Sequence, residues 1–196
     1  MTLTSDNTAA RRAMIDSQLR VSGVNDERVL AAMNGVARED FVPASARGHA
    51  YIDRAIPLGE GRALPAPLVQ GMMLSEAGLR SDDKVLVVST GSGYLAALAG
   101  RLAGTVESVD AAKAATMKRG TGSYTVLLID GAIEQLPAGL AAELAEGGRI
   151  VTGLVEHGVP RLAAGRKLGG AVSLVPLAEV GIPVLAEFAA PKGWSF

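Results

Sequence analysis

The chain has 196 residues, with 19 Lys plus Arg against 20 Asp plus Glu, a formal net charge of −1 and no cysteine. This excludes disulfides, thiol catalysis and cysteine-ligated metals, and the lack of a basic stripe argues against nucleic acid as a partner. Hydrophobic residues make up 48% and aromatics 4%, so a core of Ala, Leu and Val is expected rather than a disordered chain.

The polar start Met1-Thr-Leu-Thr-Ser-Asp-Asn7 holds no signal-peptide core. No apolar run reaches the roughly 18 residues of a membrane helix, so a cytoplasmic protein without a membrane span is expected. Residues 8–22 read as a helix capped by Asn7, with Ile15 and Leu19 on one face beside Met14. Gly23 ends it, and Asn25 is placed to cap a second helix that carries Val29, Leu30 and Met33 and closes at Gly35. In Val36–Pro43, Pro43 blocks helix continuation while Phe41 and Val42 anchor the segment. Residues 51–67 contain Pro57, Pro65, Pro67, Gly59 and Gly61. They read as an ordered, irregular loop of a length often put to functional use. A helix over 67–79 follows, carrying Leu68, Met72 and Leu79.

From Lys84 onward strand and helix alternate. Val85–Val88 is a buried strand that enters the tight turn Thr90-Gly-Ser-Gly-Tyr94, and an Ala/Leu-rich helix, Gly93–Leu102, follows at once. Such a turn brings backbone N–H groups to a ligand at the carboxyl end of a parallel sheet, which makes a nucleotide-like cofactor the first expectation. Thr105–Val109 is a second strand ending in Asp110. Tyr124–Ile129 is a third, closed by Asp130-Gly131. Leu136–Ala145 reads as a helix broken by Gly147-Gly148, and Arg149–Val155 as another strand. This alternation predicts an α/β fold with a mostly parallel sheet covered on both faces. Arg161–Leu168, Gly169-Gly170 and Ala171–Pro176 form a hairpin, an antiparallel edge to the sheet. Phe188, Trp194 and Phe196 are expected to seal the carboxyl terminus. Residues 1–80 are expected to be a helical and loop region packed on a core of residues 81–196, all one globular unit.

Several segments in order resemble the protein-L-isoaspartate O-methyltransferases. These are Met14-Ile-Asp-Ser-Gln-Leu19, Asp26-Glu-Arg-Val-Leu-Ala-Ala-Met33, Arg38-Glu-Asp-Phe-Val-Pro43, Ala50-Tyr-Ile-Asp53 with Ile56-Pro-Leu-Gly-Glu-Gly61, Thr90-Gly-Ser-Gly-Tyr94 and Glu146-Gly-Gly-Arg149. The resemblance covers most of the chain and is strongest from Met14 to Leu102. It implies a class I, Rossmann-like methyltransferase fold, S-adenosylmethionine (AdoMet) as cofactor, and an isoaspartyl protein or peptide as substrate. In that reaction an already ionised α-carboxylate attacks a sulfonium methyl. The protein's share is positioning, for which roughly 7–11 kcal/mol is available. The resemblance assigns Thr90, Gly91, Ser92, Gly93 and the ribose ligand position Asp110 to cofactor binding. A strand-end or helix-cap role for Asp110 is an equal alternative.

The chain departs from the family pattern in four places. Val87 replaces the acid of the glycine-loop strand, and Ser89 replaces its first glycine, so the serine side chain is expected to intrude on the ligand. Only thirteen residues, Ala111–Ser123, separate Asp110 from the next strand. That is enough for one helix, such as Ala111–Arg119, against the roughly 17 residues a mean helix and strand together require. The outer strand of the sheet and its Gly-Asp-Gly turn are therefore expected to be missing. Ala63 and Pro65 stand where the family has the threonine and the serine beside the reacting carboxylate, and neither donates a hydrogen bond. Arg62 alone in that loop offers a bidentate donor, although an exposed loop arginine is more often solvated. Asp130 stands where the family has a threonine, and more often such an Asp-Gly is a turn.

Other chemistry is not supported. His49 and His157 lack metal-ligand spacing, so no metal is expected. Met72-Met73 reads as core, and Ser92 has no partner histidine. Three readings follow: an active carboxyl methyltransferase with a shortened pocket; an impaired or inactive member kept as a binding or dimerisation module; and a Rossmann-like protein for another nucleotide. The missing groups favour weak or no AdoMet binding and little methylation, with the second reading as the alternative function. An apolar surface exposed where the outer strand is missing would favour that second reading.

Overall fold

The computed structural model describes residues 7–118 and 120–190. Helix α1 (Thr8–Met14) runs on through a wide π turn, Ile15–Leu19, and a tight turn, Arg20–Ser22, until Gly23 at φ 93° ends it. Its extent matches the sequence pattern, but Asn7 makes no capping bond. Helix α2 (Glu27–Gly35) is capped one residue later than expected, by Asp26, whose carboxylate accepts from the Arg28 and Val29 N–H groups. An ionised cap there also meets the positive end of the helix. The Arg28 guanidinium donates to the carbonyls of Leu79 and Leu102, which ties α2 to the start and end of the following strand–helix unit.

Residues 51–67 are more regular than expected. They contain an antiparallel hairpin, β1 (Ile56–Gly59) and β2 (Arg62–Leu64), paired from Ile56–Leu64 to Gly59–Arg62. Its two central residues, Glu60 and Gly61, have φ of 52° and 74°, as a type I′ turn requires. Helix α3 (Pro67–Ala77) starts on a proline, which lacks the N–H that a first turn leaves unused, and stops at left-handed Gly78.

The main sheet contains β3 (Lys84–Ser89), β4 (Thr105–Asp110), β5 (Tyr124–Ile133), β6 (Leu144–Glu156), β7 (Val159–Leu168) and β8 (Ala171–Glu179) in the order β4-β3-β5-β6-β7-β8. Strands β4, β3, β5 and β6 are mutually parallel, and β7 and β8 add antiparallel pairs. Between strands lie α4 (Tyr94–Ala99), α5 (Ala111–Ala115) and α6 (Ala138–Ala141), all shorter than the sequence pattern indicated. As expected, β4 is an edge: among the described residues no outer strand pairs with it. The bared edge is polar, with Thr105, Glu107 and Ser108 exposed. The apolar surface that would favour a binding module is therefore absent there.

Two other readings are corrected. Gly147 and Gly148 do not break a helix; they lie inside β6, in a bulge between the pairs Tyr124–Leu144 and Val126–Arg149. A glycine pair signals a bulge as readily as a break. Asp130-Gly131 is not a turn either, because β5 runs through it to Ile133.

The sheet buries one layer against α2, α3 and α4, around Met33, Met73, Val87 and Leu98, and a second against α5 and α6, around Leu127, Ile129 and Leu140. Phe188 closes the second layer at 1% exposure; Trp194 and Phe196 lie outside the described residues.

Asp83 shows how the sheet is fastened to α3. Its carboxylate accepts from Arg149 at 2.5 and 3.1 Å and from Thr125 Oγ1 at 2.7 Å, while Arg149 also donates to the carbonyls of Ala77 and Gly78. Burial alone would raise the Asp83 pKa, but Arg149, Thr125 and the Arg80 amide more than offset it and hold it at about 2, below its ordinary 3.8. A depressed carboxylate stabilises the fold above pH 4, and that contribution fades as pH falls from about 4 towards 2. Asp83→Asn is therefore expected to cost about 2 kcal/mol at pH 7 and much less near pH 2, read from urea unfolding at both pH values. An equal loss at both would contradict this.

Candidate active site

The carboxyl edge of the parallel strands brings the expected site residues together. Ser89 pairs with Asp110 across β3–β4, and Val88 with Ile129 across β3–β5, so Asp110, Ser89 and Asp130 lie on one rung. Immediately beyond, Gly91 and Gly93 take φ of 102° and 75°, conformations that favour glycine. A side chain at Gly93 would meet open space, whereas one at Gly91 would lie 3.8 Å from the Arg62 guanidinium. The backbone cradle that the sequence indicated is present.

Its polar groups are engaged with one another. Ser89 does not project into the cleft as expected: its hydroxyl turns back and accepts from the N–H groups of Gly91 and Gly93 at 3.0 and 3.4 Å. Ser92 accepts from the Tyr94 N–H at 3.2 Å. Asp110 caps α5 through the Ala112 N–H at 2.9 Å and is gripped by Arg62, Nη1 to Oδ2 at 2.6 Å and Nη2 to Oδ1 at 3.3 Å. That grip, then the Ala112 amide, holds the Asp110 pKa below its usual value. Arg62 is thus not a solvated loop residue. Its Nη2 also reaches Glu187 at 3.2 Å, in the carboxyl-terminal segment.

That segment crosses the same edge. Ala132 N–H donates to Pro183, Leu185 N–H donates back to Ala132, and Val184 forms a parallel bridge with Ala132. Gly131 permits this approach, since a Cβ there would sit 2.6 Å from Leu185.

The orienting loop is held from below. Arg38, fully buried, donates to the carbonyls of Ala50 and Pro65 at 2.8 and 2.5 Å and to Gln70 Oε1 at 2.6 Å. Gln70 then donates to Asp130 Oδ1 at 2.8 Å, and the Arg38 guanidinium lies 4.9 Å from the centre of the Tyr94 ring. Asp130 is 1% exposed. Burial pushes its pKa up to about 6, against the opposing pull of Gln70 and the Arg38 charge. Ala63 and Pro65 present no donor, as expected. Arg38 and Gln70 were not singled out by the sequence; an arginine followed by an acid before Phe-Val-Pro was the available signal for the first.

One group speaks for a ligand: the Thr90 hydroxyl is buried without a partner among the described residues. The others speak against AdoMet in this arrangement. A ribose needs the Asp110 oxygens that Arg62 holds, and the glycine amides are already satisfied by Ser89. A bound cofactor would have to exchange these protein partners for its own contacts. Among the described residues no cluster of three or more His, Asp or Glu is placed to hold a metal, and no helix is long and apolar enough to cross a membrane.

The family signal is nevertheless clear. A model of the protein-L-isoaspartate(D-aspartate) O-methyltransferase family matches residues 9–120 and ends within the short connection to β5. A protein-L-isoaspartate O-methyltransferase of Methanoculleus marisnigri is 34% identical over 94% of this chain and 93% of its own. One of Koribacter versatilis is 38% identical over 79% of each. A Plasmodium falciparum member solved with S-adenosyl-L-homocysteine superposes with a TM-score of 0.72 at 16% identity, over 90% of this chain and 98% of its own, which shows the shared fold. By fold and by sequence, the chain belongs to the protein-L-isoaspartate O-methyltransferase family.

Proposed function

We propose that the chain is an impaired or inactive member of that family, whose ancestral task is AdoMet-dependent methylation of isoaspartyl carboxylates in damaged proteins. Thr90, Gly91, Ser92, Gly93 and Asp110 are the remnant of its cofactor bed. The observation that carries the reading is the self-satisfied carboxyl edge: Asp110 is bonded to Arg62, the glycine amides to Ser89, and Asp130 to Gln70. Catalysis by positioning needs donors that are free before the ligand arrives. Here each would have to exchange one protein partner for another. With Ala63 and Pro65 in place of hydroxyl donors, that loop offers a substrate carboxylate only Arg62. The buried carboxyl of Asp130 on the same rung repels it whenever ionised. The test is methyl transfer from AdoMet to an isoaspartyl peptide, run beside the Methanoculleus marisnigri relative. Turnover at least about 100-fold slower is expected; turnover matching the relative would defeat the reading.

A second reading, a binding or dimerisation module on the same fold, is favoured by the opposite edge of the sheet. Among the described residues strand β8 is unpaired on its outer side, and Leu168, Val175 and Leu177 are 66%, 58% and 48% exposed beside it. Unpaired apolar edges invite a further strand. A concentration-dependent sedimentation coefficient would support a homodimer or peptide-binding role over the first reading.

A further inference from the structure

We infer that the β1–β2 hairpin is an electrostatic latch, and that Arg62 keeps nucleoside ligands out of the cleft by holding Asp110 and Glu187 together across it. The inference rests on the reading above, that the cleft is closed from within, and adds that one removable side chain does the closing.

Arg62 joins three segments distant in the chain: the hairpin, the end of β4, and the carboxyl-terminal segment. Its guanidinium forks onto both oxygens of Asp110 and its Nη2 also serves Glu187. It lies above the glycine turn, within 3.8 Å of where a Gly91 side chain would begin. A bidentate guanidinium on a carboxylate occupies the same two acceptors that the cis-diol of a nucleoside ribose requires. Latch and nucleoside therefore compete for the Asp110 oxygens.

The hairpin is anchored at its base and exposed at its tip. Its base is pinned: Arg38 holds the Pro65 carbonyl, and Asp53 accepts from the Leu68 N–H at 3.1 Å. Its tip carries three successive residues of positive φ, Gly59, Glu60 and Gly61. Between the tip and residues 183–187 the packing is incomplete, with a cavity of about 100 Å³ lined by Gly61, Ala63, Leu185 and Glu187 among others. The hairpin's base is held by the buried Ile56 and Leu64, whereas at its exposed tip the contact across the cleft is carried by the Arg62 ion pairs. The Arg62, Asp110 and Glu187 side chains are 26%, 45% and 23% exposed, so salt reaches and screens them. Added salt should open the latch, and a ligand bearing a ribose diol should compete with it.

The test uses the full chain and S-adenosylhomocysteine as the probe, with Arg62→Gln and Glu187→Gln as variants. Arg62→Gln should bind the probe about tenfold more tightly than wild type, equivalent to about 1.4 kcal/mol. Glu187→Gln, which leaves Asp110 untouched, should show a smaller gain. Wild-type affinity should rise between about 0.05 and 0.5 M NaCl, and that rise should vanish in Arg62→Gln. Without any ligand, hydrogen exchange at the Arg62, Ala63 and Leu64 amides should be faster in Arg62→Gln. Affinity in Arg62→Gln no greater than wild type, including no binding by either, overturns the latch; so does unchanged exchange. Wild-type turnover of an isoaspartyl peptide would defeat the impaired-enzyme reading while leaving the latch intact if Arg62→Gln still gains. Failure of Arg62→Gln to gain would defeat the latch alone.

Discussion

Arg38→Met is expected to lower stability by about 4 kcal/mol, the largest single effect on this fold. The substitution leaves the carbonyls of Ala50 and Pro65 and the Gln70 amide oxygen buried without their donor. Each such group costs about 1–3 kcal/mol unless water reaches it. It also withdraws the one positive charge that lowers the cost of ionising Asp130. For a chain of this size the midpoint should fall by about 8–16 °C. Arg38→Lys, which keeps the charge but not the planar fork, should lie between. A midpoint within about 3 °C of wild type for Arg38→Met would show that the network does not hold the loop.

Asp130→Asn should do the opposite, by an amount that grows from about pH 4 and levels off above about pH 6. Burial raises the Asp130 pKa from its ordinary 3.8 to about 6. Between those values the folded protein keeps a proton that the unfolded chain has lost, so stability falls as pH rises through the window. Above it the ionised, buried carboxylate costs about 3 kcal/mol, which an asparagine mimicking the protonated acid avoids. The variant should match wild type at pH 4 and exceed it by up to about 3 kcal/mol at pH 8 in urea unfolding. A variant less stable than wild type at pH 8 would mean that Gln70 and Arg38 already compensate the charge in full.

These two groups mark where sequence reasoning reached its limit. The strand–turn–helix at Val85–Tyr94 is legible because local chemistry dictates it: a buried apolar strand must end before two glycines of positive φ. The missing outer strand is legible from arithmetic, since thirteen residues between Asp110 and Tyr124 cannot hold it. The hairpin at Gly169-Gly170 is legible because both residues adopt positive φ. Asp130 was not, because Asp-Gly is a turn signal and the partner that keeps it in the strand, Gln70, lies 60 residues away. Gly147-Gly148 failed for the same reason: a glycine pair announces irregularity without saying whether a helix ends or a strand bulges. The hairpin at 56–64 is too short for periodicity, and its Glu60-Gly61 turn is not one of the Asn-Gly or Asp-Gly pairs that announce a tight hairpin. Arg62 is the sharpest case, because nothing local distinguishes a solvated loop arginine from one clasped by acids 48 and 125 residues further on.

The same division bears on function. Lineage is written in contiguous motifs, which the family match recovers over residues 9–120. Whether the site is open depends on long-range pairs, and here those pairs are made within the protein. Calorimetric titration of the wild-type chain with S-adenosylhomocysteine at low salt measures this directly. Dissociation no tighter than roughly millimolar, about −4 kcal/mol, is the predicted result. Micromolar binding would contradict it, because the Asp110 oxygens and the glycine amides would then be available to the ligand.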